Sequence, residues 1–196
     1  MLKRLFDIIF SLFGLLFLLP LFMLLALFIL LDSKGGVFYC QERVGRFGKD
    51  FKLYKFRTMA VNADRQGLLT VGGKDSRITK VGYYLRKYKL DELPQLLNVL
   101  NGTMSFVGPR PEVRKYVDLY TDEQRQVLEV KPGITDYASL EYFHENELLG
   151  KAANPEETYI QEVMPAKLEL NKKYINNPGI GSDIKIICKT IGKIFS

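Results

Sequence analysis

The longest apolar stretch lies near the start of the chain, where residues 8–31 carry no charged side chain. As one straight helix it would measure about 36 Å, enough to cross the hydrocarbon core of a bilayer. Pro20 divides the run into two halves of about 18 Å, and neither half spans alone. A proline at that point removes a backbone hydrogen bond and clashes with the preceding turn, so a bend is expected. Basic residues stand on both sides: Lys3 and Arg4 before the run, Lys34, Arg43, Arg46 and Lys49 after it. Positive flanks at both ends favour a re-entrant hairpin that enters and leaves on one face; a single spanning helix stays open as the alternative. The apolar part is too long for a secretory signal, and no small-residue cleavage site follows it.

Beyond the run the period changes. Residues 37–43 are rich in strand formers, 44–49 are turn-like, and 51–57 alternate apolar with basic side chains, which together predict a β-hairpin. On its second strand Lys52, Tyr54 and Phe56 share one face, while Phe51, Leu53, Lys55 and Arg57 share the other. The basic positions suit either a solvated edge strand or a phosphate-binding wall. A helix start is expected over 59–66, a loop over 67–75 turning at Gly72-Gly73, and an amphipathic helix over 78–89 with Val81, Tyr84, Leu85 and Tyr88 on one stripe. A short apolar helix follows between Asp91 and Gly102, because Pro94 is tolerated only in a first turn and Gly102 suits a helix stop. Residues 121–129 read as a polar helix and 131–135 as a turn, while 136–157 give no clear period. Asn154 and Pro155 read as the cap and first position of a helix reaching about residue 175. Residues 183–195 place Ile184, Ile187, Cys188, Ile191, Ile194 and Phe195 on one face. Such a helix suits a membrane interface or the protein's own core. The whole predicts an α+β fold, mostly helical, with a re-entrant membrane helix-hairpin over 1–33 and a second domain over 34–196.

Composition narrows the chemistry. The 196 residues hold 28 Lys+Arg against 22 Asp+Glu, a basic balance that suits phosphate, nucleotide or a lipid surface. The single histidine, His144, excludes a His-rich metal site and a His-based triad. Cys40 and Cys188 lie too far apart for a metal-ligand motif and imply no disulfide framework. No glycine-rich phosphate loop and no nucleic-acid module is recognisable. Acid–base and nucleophilic work must then come from Asp, Glu, Lys or Tyr.

Asp91 and Glu92 are adjacent carboxylates at a helix start, where the dipole and unpaired N–H groups favour negative charge. Asp91 is expected to stay ionised, available as a nucleophile or metal ligand; an acidic helix cap is the other reading. Arg110 stands between Pro109 and Pro111, which fix its backbone. Its rigid donor fork suits phosphate, with a structural salt bridge as the alternative.

Several motifs then occur in a recognisable order: the apolar run with Pro20, Gln41-Glu42-Arg43-Val44-Gly45, Tyr54-Lys55-Phe56-Arg57-Thr58-Met59, Leu90-Asp91-Glu92-Leu93-Pro94-Gln95-Leu96, the stretch from Asn98 through Pro109-Arg110-Pro111, and Lys131-Pro132-Gly133-Ile134-Thr135. Over nearly its whole length the chain resembles the monotopic phosphoglycosyl transferases, bacterial sugar transferases of the short, catalytic-core type. The resemblance implies transfer of a sugar phosphate from a UDP-sugar to polyprenol (undecaprenyl) phosphate, with release of UMP, as the first membrane step of surface glycan assembly. It implies Asp91 as the nucleophile that forms an aspartyl phosphosugar, and Glu92 as its helper through Mg²⁺ placement or proton handling. Asp91 and Glu92 are the metal candidates, and Mg²⁺ is the expected cofactor. Lys55, Arg57, Arg86 and Arg110 are the candidates for binding the substrate phosphates. The expected setting is the cytoplasmic face of the bacterial inner membrane, with the phospholipid bilayer as a partner, no nucleic acid, and homo-oligomerisation left open. A membrane-tethered nucleotide-binding or scaffold protein without turnover is the competing class. Three departures from the family pattern stand out. Leu19 precedes Pro20 where Ser is frequent. The segment from Asp136 to Tyr142 replaces a Gly-Leu-Ala-Gln type sequence, leaving the sugar open. Asn171 stands where an acidic residue is frequent, so no role is assigned to it.

Overall fold

The computed structural model describes residues 2–63, 67, 69–70 and 75–195. The Gly72-Gly73 turn and the second half of the helix expected over 59–66 lie outside the described residues. Helices α1 (Leu2–Phe17) and α2 (Leu19–Asp32) meet at a bend of 60°. Pro20 falls in the first turn of α2, where its missing N–H removes no helix bond. Among the described residues no single helix is long and apolar enough to cross a membrane, whereas the bent pair passes that test together.

The expected β-hairpin is present as β1 (Phe38–Val44) and β2 (Asp50–Phe56), antiparallel, with Cys40 opposite Tyr54 and Glu42 opposite Lys52. Helix α3 (Lys80–Lys87) is capped by the Thr79 side chain. Its inward side differs from the predicted stripe. Val81, Gly82 and Leu85 face inward, while Tyr84 and Tyr88 are exposed. Gly82 decides this orientation, because a Cβ there would meet the Thr58 carbonyl oxygen at 2.1 Å.

The acidic pair lies in a 3₁₀ turn, Leu90–Glu92, entered through Lys89 in the left-handed region (φ 54°). Helix α4 (Gln95–Asn101) begins only after Pro94 and stops at Gly102 (φ 89°). Residues expected to form a turn at 131–135 instead give β4 (Gly133–Thr135), paired in parallel with β3 (Ser105–Val107). The expected polar helix at 121–129 is a 3₁₀ segment, Gln124–Glu129, that buries Val127. Short helices α5 (Arg114–Val117), α6 (Tyr137–Glu141) and α7 (Glu145–Gly150) lead to the late helical stretch. That stretch begins at Asn154 as expected but is composite: α8 (Pro155–Thr158), a π-helical turn Tyr159–Val163, and α9 (Met164–Asn176). Pro165 stands two residues past the wide turn; lacking an N–H and crowding the carbonyl four residues back, it accounts for the break in α-helical register.

Helix α10 (Ile180–Ile194) buries a residue outside the apolar face expected of it. Ile186 is buried, whereas Ile184, Ile191 and Phe195 are exposed. The helix thus packs on the protein's own core through Ile186 and leaves an apolar side uncovered.

Polar anchors tie the N-terminal pair to the rest. The Asp7 carboxylate is buried and accepts from the Ser105 hydroxyl at 3.0 Å and the Phe106 N–H at 3.2 Å. Arg4 donates to the carbonyls of Val99 (2.6 Å) and Leu100 (2.8 Å), closing the C-terminal end of α4. Lys3 is ion-paired with Asp183 and donates to the Val107 carbonyl at 3.1 Å. At the far end of α2, Asp32 accepts from the Val81 N–H at 2.9 Å. The basic residues ahead of the apolar run thus act as docking groups on this domain. Apolar packing completes the attachment, with Leu25, Ile29, Phe56 and Leu85 in one buried cluster.

Candidate active site

Asn98 sets the position of the acidic turn. Its side chain accepts from the Tyr54 N–H at 3.0 Å and donates to the Lys52 carbonyl at 2.8 Å, so it completes backbone bonds of β2 from α4. This link carries the turn ahead of α4 to the strand that bears Lys55. Lys55 meets Glu92 at 3.3 Å, and Arg110 forms a two-pronged ion pair with the same carboxylate. Arg110 is held from behind: its backbone N–H donates to Asp136 at 3.1 Å, and Asp136 also caps α6 through the Ser139 N–H.

The electrostatics separate the two acids. Burial would raise the Glu92 carboxyl, but Arg110 and Lys55 outweigh it and hold the group well below the ordinary carboxylate range. Asp91 is buried as well, and no hydrogen bond or ion pair to a described residue engages its carboxylate. Burial raises its pKa, Lys55 opposes the rise and the neighbouring Glu92 adds to it. Burial thus works against the ionised form expected of Asp91, with Lys55 and Arg86 working for it. Neither acid caps α4, because Pro94 occupies the cap position, so helix dipole stabilisation is weaker than the sequence suggested. Lys55 is itself lowered by burial, against the pull of Glu92.

These groups line one cavity of about 810 Å³, which also takes in Arg86 and Arg57. Arg86 donates to the Thr70 hydroxyl at 2.8 Å and lies near enough to Asp91 to favour its charge. Arg57 is set apart. Its guanidinium donates to the carbonyls of Ser33 (2.9 Å), Lys34 (2.6 Å) and Gly36 (2.6 Å), just past the end of α2. These bonds, and a longer one to Ile29, engage donors that a phosphate would need.

The arrangement joins a carboxylate unpaired among the described residues to a second carboxylate that fixes two cations beside it. Such a set can bring a nucleophile to a phosphate and neutralise that phosphate's charge. The model of the bacterial sugar transferase family matches residues 1–196. The chain belongs to that family. It is 38% identical over 182 residues to the UDP-N-acetylgalactosamine-undecaprenyl-phosphate N-acetylgalactosaminephosphotransferase of Aeromonas hydrophila, covering 90% of this chain and 40% of that protein. The same identity over 202 residues relates it to the UDP-glucose:undecaprenyl-phosphate glucose-1-phosphate transferase of Escherichia coli (strain K12), covering all of this chain and 40% of that one. An uncharacterised sugar transferase of Bacillus subtilis (strain 168), EpsL, is 40% identical over 193 residues, with 87% of its length covered. The chain thus spans two fifths of the Aeromonas and Escherichia relatives and most of the Bacillus one.

Within this bacterial sugar transferase, Asp136 and Asn98 are the positioning residues that sequence reasoning passed over. Asp136 carries a cap signal, an acid three residues ahead of Ser139 at a helix start, lost among residues without period. Glu112 was likewise unassigned. It binds Arg43 at 3.0 Å and accepts from the Tyr159 hydroxyl, tying the segment after Arg110 to β1 and to the π-helical turn.

Proposed function

We propose that this sugar transferase moves a sugar phosphate from a UDP-sugar to polyprenol (undecaprenyl) phosphate, through a covalent intermediate on Asp91. The observation that carries the reading is the Asp91 carboxylate itself: buried, unpaired among the described residues, and part of a cavity wall that also presents Lys55 and Arg110. A carboxylate whose lone pairs are unoccupied is available to attack, whereas Glu92 is engaged by two cations. In the first step an Asp91 oxygen bonds to the β-phosphorus, and the bond from that phosphorus to the bridging oxygen breaks. UMP leaves with the bridging oxygen. In the second step an oxygen of the lipid phosphate attacks the same phosphorus and releases Asp91, giving a polyprenol diphosphosugar. Lys55 and Arg110 neutralise the diphosphate and the developing charge on UMP, and Glu92 keeps both in place.

The donor set suits Mg²⁺ only in company with substrate. Among the described residues no group of three or more His, Cys, Asp or Glu could hold a metal ion. Magnesium is commonly held by one or two carboxylates together with substrate phosphates and water. Asp91 offers such an oxygen, while Glu92 is tied to Lys55 and Arg110. Bound with the diphosphate, the ion would supply charge neutralisation.

The bent pair α1–α2 fits a re-entrant anchor on the cytoplasmic face of the inner membrane. Both of its ends are fastened to the same domain, through Lys3, Arg4 and Asp7 at one end and Asp32 and Arg57 at the other. Between those ends Phe13, Phe17, Met23 and Leu27 are exposed, as is the Ile184–Ile191 side of α10. An apolar surface of this kind suits lipid. The test is UMP release from UDP-sugars with undecaprenyl phosphate and Mg²⁺ in detergent. Turnover that EDTA abolishes is expected; UDP-sugar binding without UMP release would contradict the reading and favour a tethered binding protein.

A further inference from the structure

Two buried polar atoms of cavity-wall residues lack a partner among the described residues. Asn171 on α9 is only 5% exposed, and its side-chain oxygen is buried without a hydrogen bond among the described residues. The Ser139 hydroxyl on α6 is in the same state. Buried polar atoms are rarely left unpaired, because the lost hydration is not replaced. Both residues belong to the cavity wall, where a ligand can complete bonds of this kind.

Their surroundings indicate the kind of ligand. Asn171 lies on the face of α9 that lines the cavity, with Lys167 one helical turn away. Lys167 is neutralised by Glu145 at 2.7 Å, so this part of the wall offers neutral hydrogen bonding rather than net charge. Ser139 is joined to Arg110 through Asp136, which accepts from both backbone N–H groups at 2.5 Å and 3.1 Å. Ser139 is therefore linked to the cationic end of the cavity, and neither it nor Asn171 carries a charge. In a UDP-sugar, the uncharged group bonded directly to the β-phosphate is the sugar. Its ring hydroxyls both donate and accept, as a hydroxyl and an amide require.

On the transferase reading above, we infer that Asn171 and Ser139 form the subsite that selects the donor sugar through its ring hydroxyls. The test uses the full chain and the variants Asn171→Leu and Ser139→Ala. Three quantities are read: kcat/KM for UMP release from UDP-glucose, UDP-galactose and their N-acetylhexosamine counterparts, inhibition by UMP, and Tm. A site built to hydrogen-bond a hydroxyl discriminates strongly against a donor that misplaces it, so the preference between epimeric donors should fall about tenfold in Asn171→Leu. Inhibition by UMP should stay within about twofold, since the sugar is absent from UMP. Tm should hold or rise, because an unpaired buried acceptor has been removed. Unchanged donor ratios in active variants overturn the subsite. Weakened UMP inhibition in step with every donor assigns the pair to the nucleoside and also overturns it. A lowered Tm with wild-type ratios identifies Asn171 as a structural residue, against the proposal. No UMP release by the unaltered chain from any donor contradicts the transferase reading itself and the subsite with it.

Discussion

Asp91 and Glu92 are neighbours in sequence, both buried, and displaced in opposite directions because the cations bind only one of them. For Asp91, burial outweighs the favourable pull of Lys55. An acid with a raised folded pKa contributes stability that is complete below its unfolded pKa and lost as pH rises through the folded one. Asp91→Asn should therefore raise Tm at neutral pH, with the gain fading in acid, while UMP release falls about a thousandfold or more. The wild-type kcat/KM should climb with pH along a limb lying above the ordinary carboxylate range. Glu92 has the opposite sign: its contribution is present above the unfolded pKa and lost as pH falls through the depressed folded value. Glu92→Gln leaves Lys55 and Arg110 without their counter-charge, and urea unfolding at neutral pH should show a loss of about 3 kcal/mol. At this scale the sequence already singled out the residues that meet in the cavity, since adjacent acids and a proline-flanked arginine are visible locally. Arg57 was grouped with Lys55 by strand alternation. β2 ends at Phe56, so the next side chain no longer follows the pleat and turns to the end of α2. Asn171 was noted only as a departure from the family pattern; its unpaired oxygen exists only in the folded chain.

Among the elements, those with a local period were legible. The β1–β2 hairpin follows from alternation, and the stop of α4 follows from Gly102. The β3–β4 pair was not legible, because three-residue strands have no measurable period and their partners lie far apart in sequence. Nor was the π-helical turn, whose cause is one proline inside an otherwise helical pattern. Arg57 shows what holds α2 to the domain. Arg57→Ala strips carbonyls at the end of α2 of their donors and should lower stability by about 2 kcal/mol or more in chemical unfolding. The KM for UDP-sugar in the folded fraction should stay within about twofold. A large rise in KM at unchanged stability would instead assign Arg57 to the substrate.

At the scale of the whole molecule, the bent α1–α2 pair is fastened to the domain that carries the Asp91–Glu92 cavity. With Cys40 and Cys188 replaced by Ser, single cysteines at Leu2 and at Lys34 should label from the same side of oriented vesicles; labelling from opposite sides would establish a spanning helix. The bend was legible from Pro20. The way α1 docks was not, since Asp7 meets Ser105 across nearly a hundred residues. Intact-mass analysis of the protein incubated with a UDP-sugar and no lipid acceptor tests the central claim most directly. The account predicts a sugar-phosphate adduct mapped to Asp91, formed with an equal amount of UMP and absent from Asp91→Asn. Wild-type turnover by a folded Asp91→Asn variant would contradict it.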